Sequence, residues 1–362
     1  MTGTRDETHD RELAARLPRR AMMYGAGVAS AAALLGGTAL HAAAAAGGPF
    51  PAHPGWRFVF INHATTHSFF VPTRYGIEDA CALFGCSYQW TGSETSDVAQ
   101  MVNTMNAAIA AKADAIAVAI VDPKGFDAPT ARALKAGIPV FSYNADAPPG
   151  SPNGRLAYIG QDLYQSGVEM GRKIVSLVDS GLVPIFIATP GQLNIQPRFD
   201  GAKAAIEKSG KKIDVEMIAS GPSVNEELSR IKAYYLGHQD LKGMFAVDAG
   251  STQGVAETMQ QFDLPKKGVH AGGYDLLPKT LQLIHDGYLD FTIDQQPYLQ
   301  GFYTVMEMFV FKASGGLTGP ADINTGLKFV TKASVTPYLT TKTRYEGSSS
   351  AAEIVPRSGP IG

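Results

Sequence analysis

The chain has 362 residues, 45% of them hydrophobic and 18% charged, with a formal net charge of -2. Such a chain buries enough surface for about two domains, and its composition is neither disordered nor fibrous. The near-neutral balance argues against broad electrostatic attraction to nucleic acid or anionic lipid and favours a small-molecule partner. Its two cysteines, Cys81 and Cys86, exclude a disulfide-rich scaffold and a Cys-only zinc site, while a local bridge and a pair of neighbouring thiols both stay open.

Residues 1–46 read as an export signal: a polar start, the pair Arg19-Arg20, a mildly apolar Ala- and Gly-rich stretch from Ala21 to Leu40, then an Ala run with an A-x-A-like end. The stretch is long enough to span a bilayer, but its transfer energy is weak for a permanent anchor. Pro18-Arg19-Arg20-Ala21-Met22-Met23 resembles the twin-arginine signal, without the lysine often found near its end. The protein is therefore expected outside the cytoplasm, in a periplasm or at the cell surface.

After that segment, short apolar runs alternate with amphipathic stretches. In chain order the expected strands are Arg57 to Asn62, Ser87 to Trp90, Ala115 to Val121, Pro139 to Tyr143 and Leu156 to Gly160, then Pro184 to Thr189, Ile213 to Ala219, Gly243 to Val247, His270 to Tyr274 and Phe291 to Ile293. Each has the character of a strand buried in a parallel sheet. Between them, Val98, Met101, Val102, Met105 and Ile109 share a helical face, as do Leu277, Leu281 and Ile284. The alternation predicts an α/β fold of doubly wound parallel sheets, and ten strands predict two lobes. The turn-forming run Ala145-Asp146-Ala147-Pro148-Pro149-Gly150-Ser151-Pro152 marks the expected linker. Residues 347–362 read as a flexible tail. Ligands of open parallel sheets gather beyond the carboxyl ends of strands, so the polar residues that follow each run are the candidates.

Those residues carry a family resemblance. His67-Ser68-Phe69-Phe70 before a helix with Gly76, Gly137-Ile138-Pro139-Val140 leading to Tyr143-Asn144, and Ile159-Gly160-Gln161-Asp162 leading to Gly167 and Gly171 form the first part of the pattern. Arg198 with Gly201, Gly243 to Asp248, Gly273-Tyr274-Asp275, Thr292 to Pro297 and Phe329-Val330-Thr331 complete it. In this order and spacing, from about Trp56 to Leu339, the chain resembles the periplasmic sugar-binding proteins of ABC importers, the ribose and galactose type that shares its fold with the LacI-like core. The resemblance implies two parallel-sheet lobes joined by a three-strand hinge and closing on a polyhydroxylated ligand. It places the crossings near Asn144 to Ala147, Asp248 to Gly250 and Asp294 to Pro297. The first lobe would be 55–145 plus 249–295, and the second 146–248 plus 296–340.

By the same resemblance Phe69 and Phe70 are stacking walls, His67 a polar rim and Trp90 a further aromatic. Asn144, Arg198, Asp248, Asp275 and Gln295 become the hydroxyl-binding set, with Gln192 and Asn194 beside them. The chemistry suits a sugar, because planar polar side chains can each hold two hydroxyls while aromatic rings pack on C–H faces. Asn144-Ala145 stands where the ribose binders carry Asp-Arg, so ribose specificity is not implied, and Asp248 stands where they often have Asn. One arginine facing two acids favours a neutral ligand over an acidic one. Each residue also has a structural reading: core packing for the phenylalanines, helix capping for the acids, a turn for Asn144.

The implied function is capture of a neutral sugar or sugar alcohol by a monomeric binding protein that delivers it to an ABC permease, with no cofactor and no reaction. The alternative is a module that presents the same kind of ligand to a membrane receptor. No nucleophile-elbow, P-loop, zincin or dinucleotide motif follows a strand. His63 and His67, four apart on a strand-to-helix connection, need not share a face, so no metal site is expected. A DNA-binding repressor is disfavoured because an export signal stands where its headpiece would be.

Overall fold

The computed structural model describes residues 52–316, 319, 322–341 and 343–346. The expected signal over 1–46 and tail over 347–362 lie outside these residues. In chain order the elements begin with β1 (Arg57–Asn62), α1 (Val71–Phe84), β2 (Ser87–Gly92), α2 (Val98–Ala110), β3 (Ala115–Val118), α3 (Asp127–Lys135), β4 (Val140–Tyr143) and β5 (Tyr158–Gly160). There follow α4 (Leu163–Leu177), β6 (Ser180–Ile187), α5 (Gln196–Lys208), β7 (Lys212–Ala219), α6 (Val224–Gly237), β8 (Gly243–Ala246) and α7 (Ala249–Gln261). The rest are β9 (His270–Tyr274), α8 (Pro278–His285), β10 (Phe291–Asp294), α9 (Pro297–Ala313), β11 (Asp322–Asn324), β12 (Lys328–Val330) and α10 (Thr336–Leu339).

Helix starts follow local chemistry. Asp97, Asp162 and Asp248 each accept a backbone N–H of the first turn of α2, α4 and α7, meeting donors that a helix leaves unpaired. Gly85 ends α1 with φ 67°, the left-handed conformation that glycine adopts without steric cost.

The strands form two six-stranded sheets, ordered β11-β5-β4-β3-β1-β2 and β12-β10-β9-β8-β6-β7. All pairings are parallel except β10 with β12. The second sheet shows the period of two expected of a strand covered on both faces. Val183, Ile185 and Ile187 pack with Met170, Ile174 and Phe199 of α4 and α5, whereas Phe186 packs with Ile231 and Tyr235 of α6 on the other side. β2 and β7, expected as buried, are edge strands, and Lys212, Asp214 and Met217 of β7 face solvent.

The division of the chain between lobes differs from the expectation. β5 and β11 belong to the first sheet, and β9 and β10 to the second, where they join β8. Helix α9 packs on α1 of the first lobe. The strands thus divide as 57–160 plus 322–324 against 180–294 plus 328–330, rather than as 55–145 plus 249–295 and 146–248 plus 296–340. The Pro-rich run after Asn144 is a loop inside the first lobe: Ser142 and Arg155 both bind Asp146 across it, and the chain then re-enters the same sheet at β5. The crossings lie at 161–162, 295–296 and 325–327, so of the three expected only Asp294 to Pro297 coincides.

The crossings are laced together. Gln161 Nε2 donates to Gly326 O (2.9 Å), Thr325 N to Gly160 O (2.9 Å) and Thr325 Oγ1 to Gln295 O (2.8 Å). Past β12, Tyr338 donates to Asp294 (3.2 Å) in the second lobe, and the chain returns to the first, where Arg344 pairs with Glu78 and Asp79 on α1. Cys81 and Cys86 are free thiols, pushed up by burial to about 12 and about 11. Among the described residues no helix is long and apolar enough to cross a membrane.

Candidate binding site

A cavity of about 110 Å³ lies between the lobes, far above the roughly 10–15 Å³ that one water needs. Ten of the eleven candidate residues line it: His67, Phe69, Phe70, Asn144, Gln192, Asn194, Arg198, Asp248, Asp275 and Gln295. Trp90 does not. It stands behind the cavity wall, 5.9 Å from the Phe70 ring and 6.4 Å from that of Phe60, and its Nε1 donates to Thr65 O (3.0 Å). From edge strand β2 it supports Phe70 and is not part of the cavity lining.

The wall of the first lobe is aromatic. Phe69 and Phe70 meet edge to face at 4.7 Å, a favoured aromatic geometry. His67 caps the short turn that carries them: its Nδ1 accepts from Phe69 N (3.1 Å). The proton of the neutral ring therefore sits on Nε2. Burial lowers the His67 pKa, which keeps the ring neutral.

Arg198, 2% exposed, enters from α5. Its Nη1 donates to Val247 O (3.0 Å), its Nη2 to Gln161 Oε1 (3.2 Å), and the guanidinium lies 4.2 Å over the Tyr274 ring. Among the described residues its buried Nε has no partner. Asp248 and Asp275 both feel its charge, yet among the described residues no carboxylate lies within 4.0 Å of it. Asp200, two residues along α5, is exposed and accepts from Gln196.

Asp248 keeps its capping role and lines the cavity as well: Oδ1 accepts from Ser251 N and Oδ2 from Ala188 N, both at 2.8 Å. A second string of polar groups runs along the hinge. Asn144 Nδ2 donates to Gln300 Oε1 (3.2 Å), Gln300 Nε2 to Gln295 Oε1 (3.0 Å), and Gln295 Nε2 to Asp275 Oδ1 (2.6 Å). Asn144 and Asp275 hold φ 62° and 76°, left-handed conformations that acids and amides tolerate better than most side chains.

Burial pushes Asp275 up to about 6, with Arg198 and Gln295 pulling the other way. This folded value lies above the unfolded one, so folding takes up a proton. Its contribution is present at low pH and lost as pH rises through about 6. The difference in stability between the ligand-free protein and Asp275→Asn should shrink or reverse by roughly 2–3 kcal/mol between about pH 4 and pH 7. Paired urea titrations check it, and a pH-independent difference contradicts it.

Twelve further lining residues were not among the binding candidates, and three of them, His63, Ser96 and Glu227, bring polar groups that matter to the site. His63 follows β1 and meets Asn194 across the cleft (Nε2 to Nδ2, 3.2 Å); burial lowers it to about 3. Its place directly after a strand was the available signal. Ser96 donates to Gln192 Oε1 (3.1 Å) from the opposite lobe, and Leu193 N donates to Val121 O (2.9 Å), so the lobes meet in a closed arrangement. Glu227 reaches the cavity from the first turn of α6, where an acid looks like an ordinary partner of the helix dipole.

Two hinged α/β lobes closed on a polar, aromatic-walled cavity define a ligand-capturing binding protein. The chain matches the family described as periplasmic binding protein domain over residues 58–312, and it belongs to that family. It is a binding protein, not an enzyme. It is 52% identical over 316 residues to the xylose/arabinose-binding protein XylF of Sulfolobus acidocaldarius, covering 84% of this chain and 78% of that protein. A solute-binding protein of an ABC transporter from Burkholderia graminis, solved with D-arabinose, is 28% identical with a TM-score of 0.72, over 78% of this chain and 97% of that one. Another from Agrobacterium vitis, bound with α-D-tagatopyranose, is 26% identical with a TM-score of 0.71, over 78% and 96%.

Proposed function

We propose that this protein is the exported solute-binding component of an ABC importer, that it closes on a neutral monosaccharide, with aldopentoses first among the candidates, and that it hands the sugar to a membrane permease. The observation that carries this reading is the make-up of the cavity: a phenylalanine corner on one side, and on the other amides, carboxyls and a single guanidinium whose Nε has no protein partner. Such a set suits hydroxyls, which donate and accept at once, and stacking on a sugar C–H face. It suits an acidic ligand poorly, since Arg198 already answers to Asp248 and Asp275. The pentose preference takes support from the names of the relatives, and export from the Arg19-Arg20 pair and the alanine-rich stretch behind it.

A thermal-shift and calorimetric screen of residues 47–362 against pentoses, hexoses, pentitols and inositols tests the reading. At a ligand concentration of 100 Kd, binding stabilises the native state by about 2.7 kcal/mol, a shift of several degrees. D-xylose or D-arabinose should give it. Silence toward every sugar and polyol overturns the reading. Uptake of the same sugar should fall when the gene is deleted; unimpaired uptake with intact binding would instead favour a sensing role.

A further inference from the structure

Glu227 is 4% exposed although it lies in the first turn of α6, where an acid normally faces solvent. Its carboxyl turns inward over Gly250. A Cβ at residue 250 would collide with Oε2 and stand 2.7 Å from Cδ, so glycine at that position leaves the carboxyl its room. Among the described residues no donor reaches the buried Oε2, and the adjoining acid is Asp248, whose oxygens already accept from Ala188 and Ser251. Two adjoining carboxylates in a closed cavity cannot both ionise cheaply; one proton between them turns repulsion into a hydrogen bond.

We propose that Glu227 is a positioning residue for ligand recognition: as a neutral carboxylic acid it donates to Asp248 and holds that carboxylate as an acceptor for a ligand hydroxyl. The inference rests on the reading of the cavity as a monosaccharide site. Asp248 then receives three donors and keeps a lone pair toward the ligand. The unpartnered Nε of Arg198, on the same cavity, independently marks a place where a ligand oxygen belongs. The titratable and charged groups facing the pair are Arg198 on α5, Asp275 after β9, His67 and Glu94 across the cleft, and Glu226 on α6 itself. Burial and the facing Asp248 push Glu227 far above the usual carboxylate range. Tyr274, in contact with Arg198, is raised to about 12 and titrates later.

The test is the affinity for D-xylose and D-arabinose from about pH 6 to about pH 10, together with the infrared carbonyl stretch of a protonated carboxyl in the sugar-free protein. Wild-type affinity should weaken about tenfold or more toward the alkaline end, as expected when a proton needed for binding is lost over one pH unit. Glu227→Gln, whose amide donates at every pH, should bind within about threefold of wild type near neutrality and show no alkaline loss. Glu227→Ala should bind about tenfold more weakly throughout. The infrared band should be present near neutral pH and disappear in Glu227→Gln. A flat wild-type profile, the same alkaline decline in Glu227→Gln, or wild-type affinity in Glu227→Ala overturns the proposal. If Glu227→Ala does not fold, the other two measurements decide. If neither sugar binds at any pH, the functional reading fails, and the infrared band still decides the state of Glu227.

Discussion

Replacing Arg198 by alanine is expected to cost most of the sugar affinity, at least ten- to a hundredfold, or roughly 1.5–3 kcal/mol, because hydrogen bonds to a charged donor are worth about that much each. The guanidinium is held by Val247 O, Gln161 Oε1 and the Tyr274 ring, contacts made within the protein that leave it little rotamer freedom to lose on binding. Its removal also takes away the positive charge that lowers both Asp248 and Asp275. Asp275 should then titrate above its present value of about 6. Lysine should not restore binding, since a single ammonium cannot reproduce three contacts and a free Nε at once. Calorimetric titration with D-xylose and an NMR titration of the Asp275 carboxyl check both parts. A folded Arg198→Ala variant with unchanged affinity would remove this residue from the site.

The second large effect is expected at Gly167, which touches no ligand. Helices α4 and α5 pack backbone to backbone, and a Cβ on residue 167 would overlap the carbonyl oxygen of Arg198 and come within 2.8 Å of its Cα. Glycine to alanine inside a helix ordinarily gains up to about 1 kcal/mol. Here the neighbour is main chain and cannot rotate away, so overpacking of about 1–3 kcal/mol should win, and the displaced Arg198 should weaken sugar binding in parallel. Gly237 near the end of α6 is the control: a Cβ there meets nothing within 4 Å. Gly237→Ala should be neutral or stabilising in thermal unfolding. Loss of stability without loss of affinity in Gly167→Ala would break the link between helix packing and the site.

The order of elements was legible because apolar runs at strand length are a strong local signal, and ten of the twelve described strands fall on runs singled out in the sequence, with β12 reached only through the resemblance at Phe329-Val330-Thr331. β11 was not, being three residues long with Asp322 and Asn324 exposed. Lobe membership was legible only in part: β1 to β4 and β6 to β8 fall in the lobes expected of them, whereas β5, β9, β10 and β11 fall in the other one. Which sheet a strand joins depends on pairing across long sequence separations, and two of the three crossings, at 161–162 and 295–296, carry no proline or glycine, whereas the proline-rich run at 145–152 closes a loop within one lobe. Ten of the cavity's lining residues were readable, since polar residues just past parallel strands are brought to one edge whatever the lobe assignment. Glu227 was not, because from sequence its inward turn depends on Gly250 twenty-three residues away.

The pairing of α1 with α9 bears on the order in which the chain can organise itself. Gly76 and Gly301 let these helices meet at main-chain distance, but more than two hundred residues separate the partners, so the loop to be closed is costly in entropy. Each sheet draws five of its six strands from one continuous stretch, 57–160 and 180–294, but the helices α4 to α8 packed on the second come from 163–285, close to those strands in sequence. The first must wait with the inner face of α1 uncovered until residues 297–313 have been made. During synthesis the amino-terminal half of this protein is therefore the later part to mature, and the interval before α9 docks is when a holding chaperone has apolar surface to grip.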